Sequence, residues 1–366
     1  MASAALSGSF WIFFLYDVCE GIELETLSRI PGVELRRDPA FRHPAPDYVR
    51  FERPPVVERL EPIVLASGSR FLGELNYYEY GVVSLKLELP FDLDWPQLVD
   101  LSSRWIAAPE LEAQAARTVR QCLRRAQKAL VRPREDWLSE DYYIIHLKTS
   151  DIKSGARAVT AAQIIEQHGA EIAKIVRGEM AELSAGETGE VLSSRMSYSP
   201  DDLLVVSWTA AFICDTAEGA ASTIQLIEYA NTQLLEFRYY DQVLSRLLED
   251  VYRSLEKKAG AFARWRLASQ AQHLNKIRLD IRELSERVDT SIKFLSDMFS
   301  ARLYRLAAAK VGVDDYRRLV ESKLHTAGEL YEFMMAQFHE GRAFAMEVVV
   351  IVILILDLVF LFRGKG

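Results

Sequence analysis

Residues 83–89 alternate strictly, with Val83, Leu85, Leu87 and Leu89 set against Ser84, Lys86 and Glu88. A period of two places one row on each face of a half-buried strand. Residues 71–78 supply a strand to pair with it across a turn at Gly81. The aromatic run at 10–16 reads as a buried first strand, with shorter strands at 48–51 and 63–66 and another at 142–147. Residues 203–214 (LLVVSWTAAFIC) form one final apolar strand. A helical period occupies 22–30 and 95–131, and 160–176 turns Ile164, Ile165, Ile172 and Ile175 inward. Seven of the twelve prolines fall within 31–62, which predicts an irregular stretch there. The pattern therefore predicts an α+β domain over residues 1–215.

After Asp215 the chain holds no proline and the period stays helical. The predicted elements are a helix over 217–259, a second over 262–309 and a third that starts after Gly312. Leu274, Ile281, Val288 and Leu295 form one heptad row, and Ile277, Leu284 and Met298 form the other. Residues 216–342 are thus expected to make a long antiparallel, coiled-coil-like stalk. A run of twenty residues at 343–362, fifteen of them Val, Ile, Leu or Phe, follows it. Twenty helical residues rise about 30 Å, the thickness of a bilayer's hydrocarbon core. The expectation is one C-terminal transmembrane helix, with residues 363–366 as a short basic tail. Glu347 and Asp357 inside the run are then candidates for contacts between helices.

Composition narrows the partners. The net charge of −8 disfavours nucleic acid and anionic lipid unless a local patch overrides it. One patch qualifies. Seven basic residues and no acid occupy 117–134, and Arg117, Arg120, Arg124, Lys128 and Arg132 recur at helical spacing. Such a ridge suits RNA phosphates, a ribosome or anionic lipid headgroups, although no aromatic is interleaved for base stacking. The cysteines at 19, 122 and 214 match no metal or redox spacing, and no lysine or arginine precedes Arg29 as a charged leader would require. No phosphate loop, paired ligand motif or nucleophile signature is present, so no enzyme, cofactor, metal or small-molecule substrate is implied.

A helical segment carries Glu228-Tyr-Ala-Asn231 and Leu234-Leu-Glu-Phe-Arg-Tyr-Tyr-Asp241. There Glu228, Asn231, Glu236, Arg238 and Asp241 read as a polar clamp between domain and stalk, with Arg238 and Asp241 an i,i+3 pair. Together with Glu79-Tyr-Gly-Val-Val83, Asp202-Leu-Leu-Val-Val206, Val251-Tyr252 and Met346-Glu-Val-Val, the chain from about residue 60 onward resembles the required-for-meiotic-nuclear-division family, the Rmd/Sif-like domain of unknown function. The resemblance implies a membrane protein, with a branch that supports mitochondrial translation as a tether and bacterial members without assigned activity. The combined expectation is a tail-anchored, homo-oligomeric scaffold with its body cytoplasmic, in a bacterial inner membrane or else a mitochondrial one. A membrane-associated RNA- or ribosome-binding role through the basic ridge is the alternative.

Overall fold

The structure, a computed structural model, describes residues 6–35, 55–65, 68–106, 108–149, 153–154, 157–256, 274, 276–286 and 298–363, without the side chains of 153–154, 157–158, 251, 254–256, 333–349 and 356–363. The expected strand at 48–51 and the heptad positions Val288 and Leu295 lie outside the described residues.

A nine-stranded sheet organises the N-terminal part. Its strands are β1 (Leu6–Ile22), β2 (Val33–Leu35), β3 (Val56–Val64), β4 (Arg70–Tyr77), β5 (Val82–Leu93), β6 (Leu130–Lys148), β9 (Arg195–Met196), β10 (Leu203–Val206) and β11 (Ala210–Asp215). The order across the sheet is β2-β3-β4-β5-β1-β6-β11-β10-β9. β1 is central and antiparallel to both β5 and β6, while β11 runs parallel to β6. The short strands β7 (Lys153–Ser154) and β8 (Arg157–Ala158) make a separate ribbon. The apolar run at 203–214 is a hairpin rather than one strand. Tyr142 donates to the Ser207 carbonyl at 2.9 Å and fixes its turn, where Trp208 stands exposed.

The two faces of the sheet differ in chemistry. On one, Phe10, Ile12 and Phe14 of β1 join Leu85 and Leu87 of β5, Tyr143 and Ile145 of β6 and Phe212 of β11 in an apolar core. That face is covered by α2 (Trp95–Trp105), α3 (Pro109–Arg125), α4 (Ala161–Arg177) and α5 (Ala185–Ser193), which share the same core. α1 (Leu24–Leu27) is a single turn beside β1. The predicted helix over 95–131 is broken by Pro109, which starts α3, and ends at Arg125.

The alternate positions bury polar groups, among them Ser9, Asp17, Asn76, Ser84, Lys86 and His146. α6 (Ala217–Glu256) lies over this face, and every residue of 223–237 is buried, including Gln225, Glu228, Asn231, Thr232, Gln233 and Glu236. A helix buried on all sides usually reads as uniformly apolar. Here the sheet supplies polar partners instead: Asn76 Nδ2 donates to Glu228 at 2.5 Å, and the Tyr80 and Thr232 hydroxyls lie 2.8 Å apart.

The remaining helices are α7 (276–286), α8 (Met298–Val311) and α9 (Val313–Arg363). The chain divides into two compact units, Met1–Tyr239 with Ser285–Tyr316, and Tyr240–Leu284 with Arg317–Gly366. Within the second, Leu274, Ile277, Ile281 and Leu284 are buried, in keeping with one packed face.

The membrane expectation is corrected. No helix among the described residues is long and apolar enough to cross a membrane. Of the run at 343–362, only the exposed side chains of 350–355 are described. A tail anchor at 343–362, and with it a place in a bacterial or mitochondrial membrane, has no support in the fold. Glu347 and Asp357, taken as intramembrane contacts, lie where no side chain is described.

Candidate nucleic-acid interface

α3 begins with Pro109 at its first position, carries Glu110 and Glu112 in the first turn and ends on Arg124 and Arg125. This order complements the helix dipole at both ends. Leu111, Ala115, Val119, Cys122 and Leu123 dock on the core, which leaves Arg117, Arg120 and Arg124 on the solvent face. A single 3₁₀ turn, Gln127–Ala129, follows and exposes Lys128. Four of the seven basic residues therefore form the ridge.

The other three turn away from it. Arg125 pairs with the buried carboxylate of Glu58. Arg132 lies on β6, with φ at 48°, and its Nη1 contacts Glu20 at 2.8 Å. Its place on the ridge is corrected, because the helix has ended and the ion pair draws the residue to Glu20 of β1. Arg134 is drawn inward to Asp17 and the Cys19 carbonyl, and its guanidinium lies 3.7 Å from the Tyr239 ring centroid.

Among the described residues, Arg124 and Lys128 have no hydrogen-bond or ion-pair partner. Arg117 donates only to the Ala113 carbonyl of its own helix, at 3.3 Å. Arg120 lies over Trp137 of β6, with Cζ 5.3 Å from the ring centroid, and Trp137 in turn packs on Tyr16 at 5.7 Å. Trp137 is half-buried and its Nε1 donates to the Arg134 carbonyl at 3.3 Å. The ridge thus has an aromatic beside it. Trp137 follows Arg120 by seventeen positions on another element, so the spacing along α3 carried no sign of it.

The expected clamp is distributed rather than gathered. Glu228 meets Asn76 of β4, whereas Asn231 Nδ2 donates back to the Ile227 carbonyl at 2.9 Å. Glu236 is buried beside Arg134. Arg238 pairs with Glu140 of β6, and Asp241 receives Lys323 Nζ of α9 at 2.5 Å, in place of the i,i+3 pair between them.

Burial dominates the titrating groups elsewhere. It pushes the Asp17 carboxyl up to about 7 against the attraction of Arg134, since only one of its oxygens is paired. His146 is held neutral by burial, with Nε2 3.1 Å from the Asp215 carbonyl. Burial also raises the thiols, to about 11 for Cys19 and about 12 for Cys214, and raises Cys122. A thiol-reactive dye at pH 7.5 should therefore label none of the three in the native chain within minutes and all three in urea. Rapid native labelling of any one would show that its segment opens. No group of three or more His, Cys, Asp or Glu among the described residues is placed to hold a metal ion.

Residues 7–221, from β1 into the first turn of α6, match the family model described as uncharacterized protein MJ0711, N-terminal domain. The chain belongs to this family. The match replaces the resemblance to the Rmd/Sif-like family, which rested on short, separated motifs. The chain is also similar to uncharacterized protein MJ0711 of Methanocaldococcus jannaschii, with 22% identity over 195 residues, 53% of this chain and 60% of the relative. No solved structure matches the chain. The whole of α3, the ridge and Trp137 fall within the family's domain, whereas α7, α8 and α9 fall outside it.

Proposed function

We propose that the α+β domain is an RNA-binding module that holds a single strand along α3. The observation that carries this reading is the row Arg117, Arg124 and Lys128, exposed and unpaired to any carboxylate among the described residues, with Arg120 over Trp137. From residue 117 to 128 the row advances roughly 16 Å, enough to follow several phosphates of one strand. An arginine held against an indole presents a flat cationic face on which a base can stack. In a chain of net charge −8 such a surface concentrates the attraction in one place. Binding of this kind reads backbone and stacking, with little sequence preference.

Fluorescence anisotropy with a labelled 20-nucleotide poly(U) RNA tests it. Three phosphate contacts predict a slope of log K against log salt near about −2. The triple variant Arg117→Glu, Arg124→Glu, Lys128→Glu should bind at least about a hundredfold more weakly, because each site loses an attraction and gains a repulsion. The three positions are exposed, so its unfolding midpoint should match the parent chain. Unchanged RNA affinity in the folded variant would sink the proposal. Tighter binding to phosphatidylglycerol vesicles than to RNA, lost in the same variant, would replace RNA with lipid.

A further inference from the structure

A cleft on another part of the first unit shares no residue with the ridge. The Ala161 amide at the start of α4 donates to the Pro200 carbonyl at 2.7 Å. The loop that carries Pro200 is fixed by Asp202, whose carboxylate accepts from the amides of Tyr198 and Ser199 at 2.7 and 3.0 Å and from the Ser199 hydroxyl at 3.0 Å. Tyr198 packs edge-on against Phe299 of α8, with centroids 5.1 Å apart. Phe299 and Arg302 are i,i+3 neighbours, so the ring contact brings Arg302 toward the loop. Between these elements lies an open cleft of about 820 Å³, within the usual range of small-molecule sites.

Two arginines, Arg195 and Arg302, line the cleft, with Glu166 as the one acid. Neither arginine forms an ion pair among the described residues, and Arg195 gives a single N–H to the Leu192 carbonyl at 3.2 Å. Glu166 lies in the same wall yet pairs with neither. Thr160 and Gln163 close a capping box over the first turn of α4, so the helix end contributes little to any attraction for an anion. The cationic character comes from the two side chains. Ser197 adds a hydroxyl to the lining, and Ile165 and Met196 make it partly apolar.

We propose that this cleft binds a small phosphomonoester. Its phosphate would be held between Arg195 and Arg302 and its organic group would lie against Ile165 and Met196. Two guanidinium groups match the dianion that a phosphomonoester carries above its second pKa of about 6, whereas a lone carboxylate would leave one of them uncompensated. The loop is tied on both sides, by Ala161 and by Asp202, which limits the ordering needed on binding.

Isothermal titration of the full chain with phenyl phosphate is the test. Saturable binding below about 1 mM is expected. Arg195→Gln and Arg302→Gln should each weaken it by about tenfold or more, from the loss of a charge-assisted hydrogen bond. Glu166→Gln should tighten it by about threefold, since it removes the opposing charge. Circular dichroism of the arginine variants should match the parent chain, because both positions are exposed. The ridge triple variant should bind phenyl phosphate unchanged. No saturable binding, indifference to both arginine substitutions, or equal affinity for benzoate would each overturn the assignment.

Discussion

Replacing Arg134 by Met is expected to destabilise the sheet unit by about 2–2.5 kcal/mol at pH 8 and by about 1 kcal/mol at pH 5. The size follows from position. Arg134 neutralises Asp17, which is 1% exposed, and also caps the Cys19 carbonyl and stacks on Tyr239 of α6. Asp17 and Cys19 flank the register shift between β1 and β6, where ladder hydrogen bonds are missing. The pH dependence comes from Asp17. Burial raises its folded pKa to about 7, above the unfolded value of 3.8, so its contribution is fully present below about 4 and is lost as pH rises through 7. Without Arg134 the folded pKa rises further, and the loss continues where the parent chain has levelled off. At pH 5 the carboxyl is neutral in both proteins, and only the hydrogen bond and ring contact of Arg134 are missing. Urea midpoints at the two pH values measure the difference, and Asp17→Asn should remove the additional pH 8 loss in the double variant. Equal destabilisation at both pH values would mean that Asp17 is not the buried partner that matters.

Much of the sheet was legible from short-range pattern. Residues 83–89 alternate because β5 has an apolar face on the core and a polar face under α6, and both are buried. The strand at 142–147 was legible only in its second half. β6 starts at Leu130, but its first thirteen residues precede the pairing with β11 and carry the charges and proline of an exposed edge. That composition resembles a loop more than a strand. The hairpin at 203–214 was hidden for the opposite reason. Its turn residues Ser207, Trp208 and Thr209 lack the Gly or Asn that marks most two-residue connections.

The ridge was legible in part. Periodicity identified Arg117, Arg120, Arg124 and Lys128, but it ran one turn too far, because Arg132 keeps the spacing while lying past the helix end, with positive φ and paired to Glu20. Trp137 reaches Arg120 only through the β1–β6 pairing, a tertiary fact. The cleft had the least signal, since Arg195 and Arg302 are 107 positions apart in sequence yet line one cleft, beside the contact of Phe299 with Tyr198. The buried stretch of α6 was read as a polar clamp between domain and stalk. Its burial was not legible, because the polar face that receives its acids and amides is built by the even-numbered side chains of β4 and β5.

Gly81→Ala is expected to destabilise the same unit by about 3–5 kcal/mol, whereas Gly68→Ala should lose only about 1–2 kcal/mol. Both glycines have positive φ, +91° and +84°, so the left-handed backbone penalty is common to the two substitutions. They differ in surroundings. Among the described residues nothing lies within 4 Å of a Cβ built on Gly68, but one built on Gly81 would sit 1.9 Å from the Cys19 carbonyl oxygen. That oxygen belongs to the central strand, which cannot retreat without disturbing both neighbours. The Gly81 carbonyl accepts from the Val18 amide at 3.0 Å, and the Glu79 carbonyl accepts from the Ile22 amide at 2.7 Å. The hairpin tip therefore seals β1 at the register shift where Asp17 and Arg134 meet, and Tyr80 carries the contact on to Thr232 of α6. An alanine must push the tip away from β1, open these two hydrogen bonds and loosen the Arg134 cluster behind them. Thermal unfolding of the two variants compares strain alone with strain plus collision. Hydrogen exchange should show faster exchange at Val18 and Ile22 in Gly81→Ala only. Equal losses in the two variants would mean that the tip moves freely and that β1 does not depend on it.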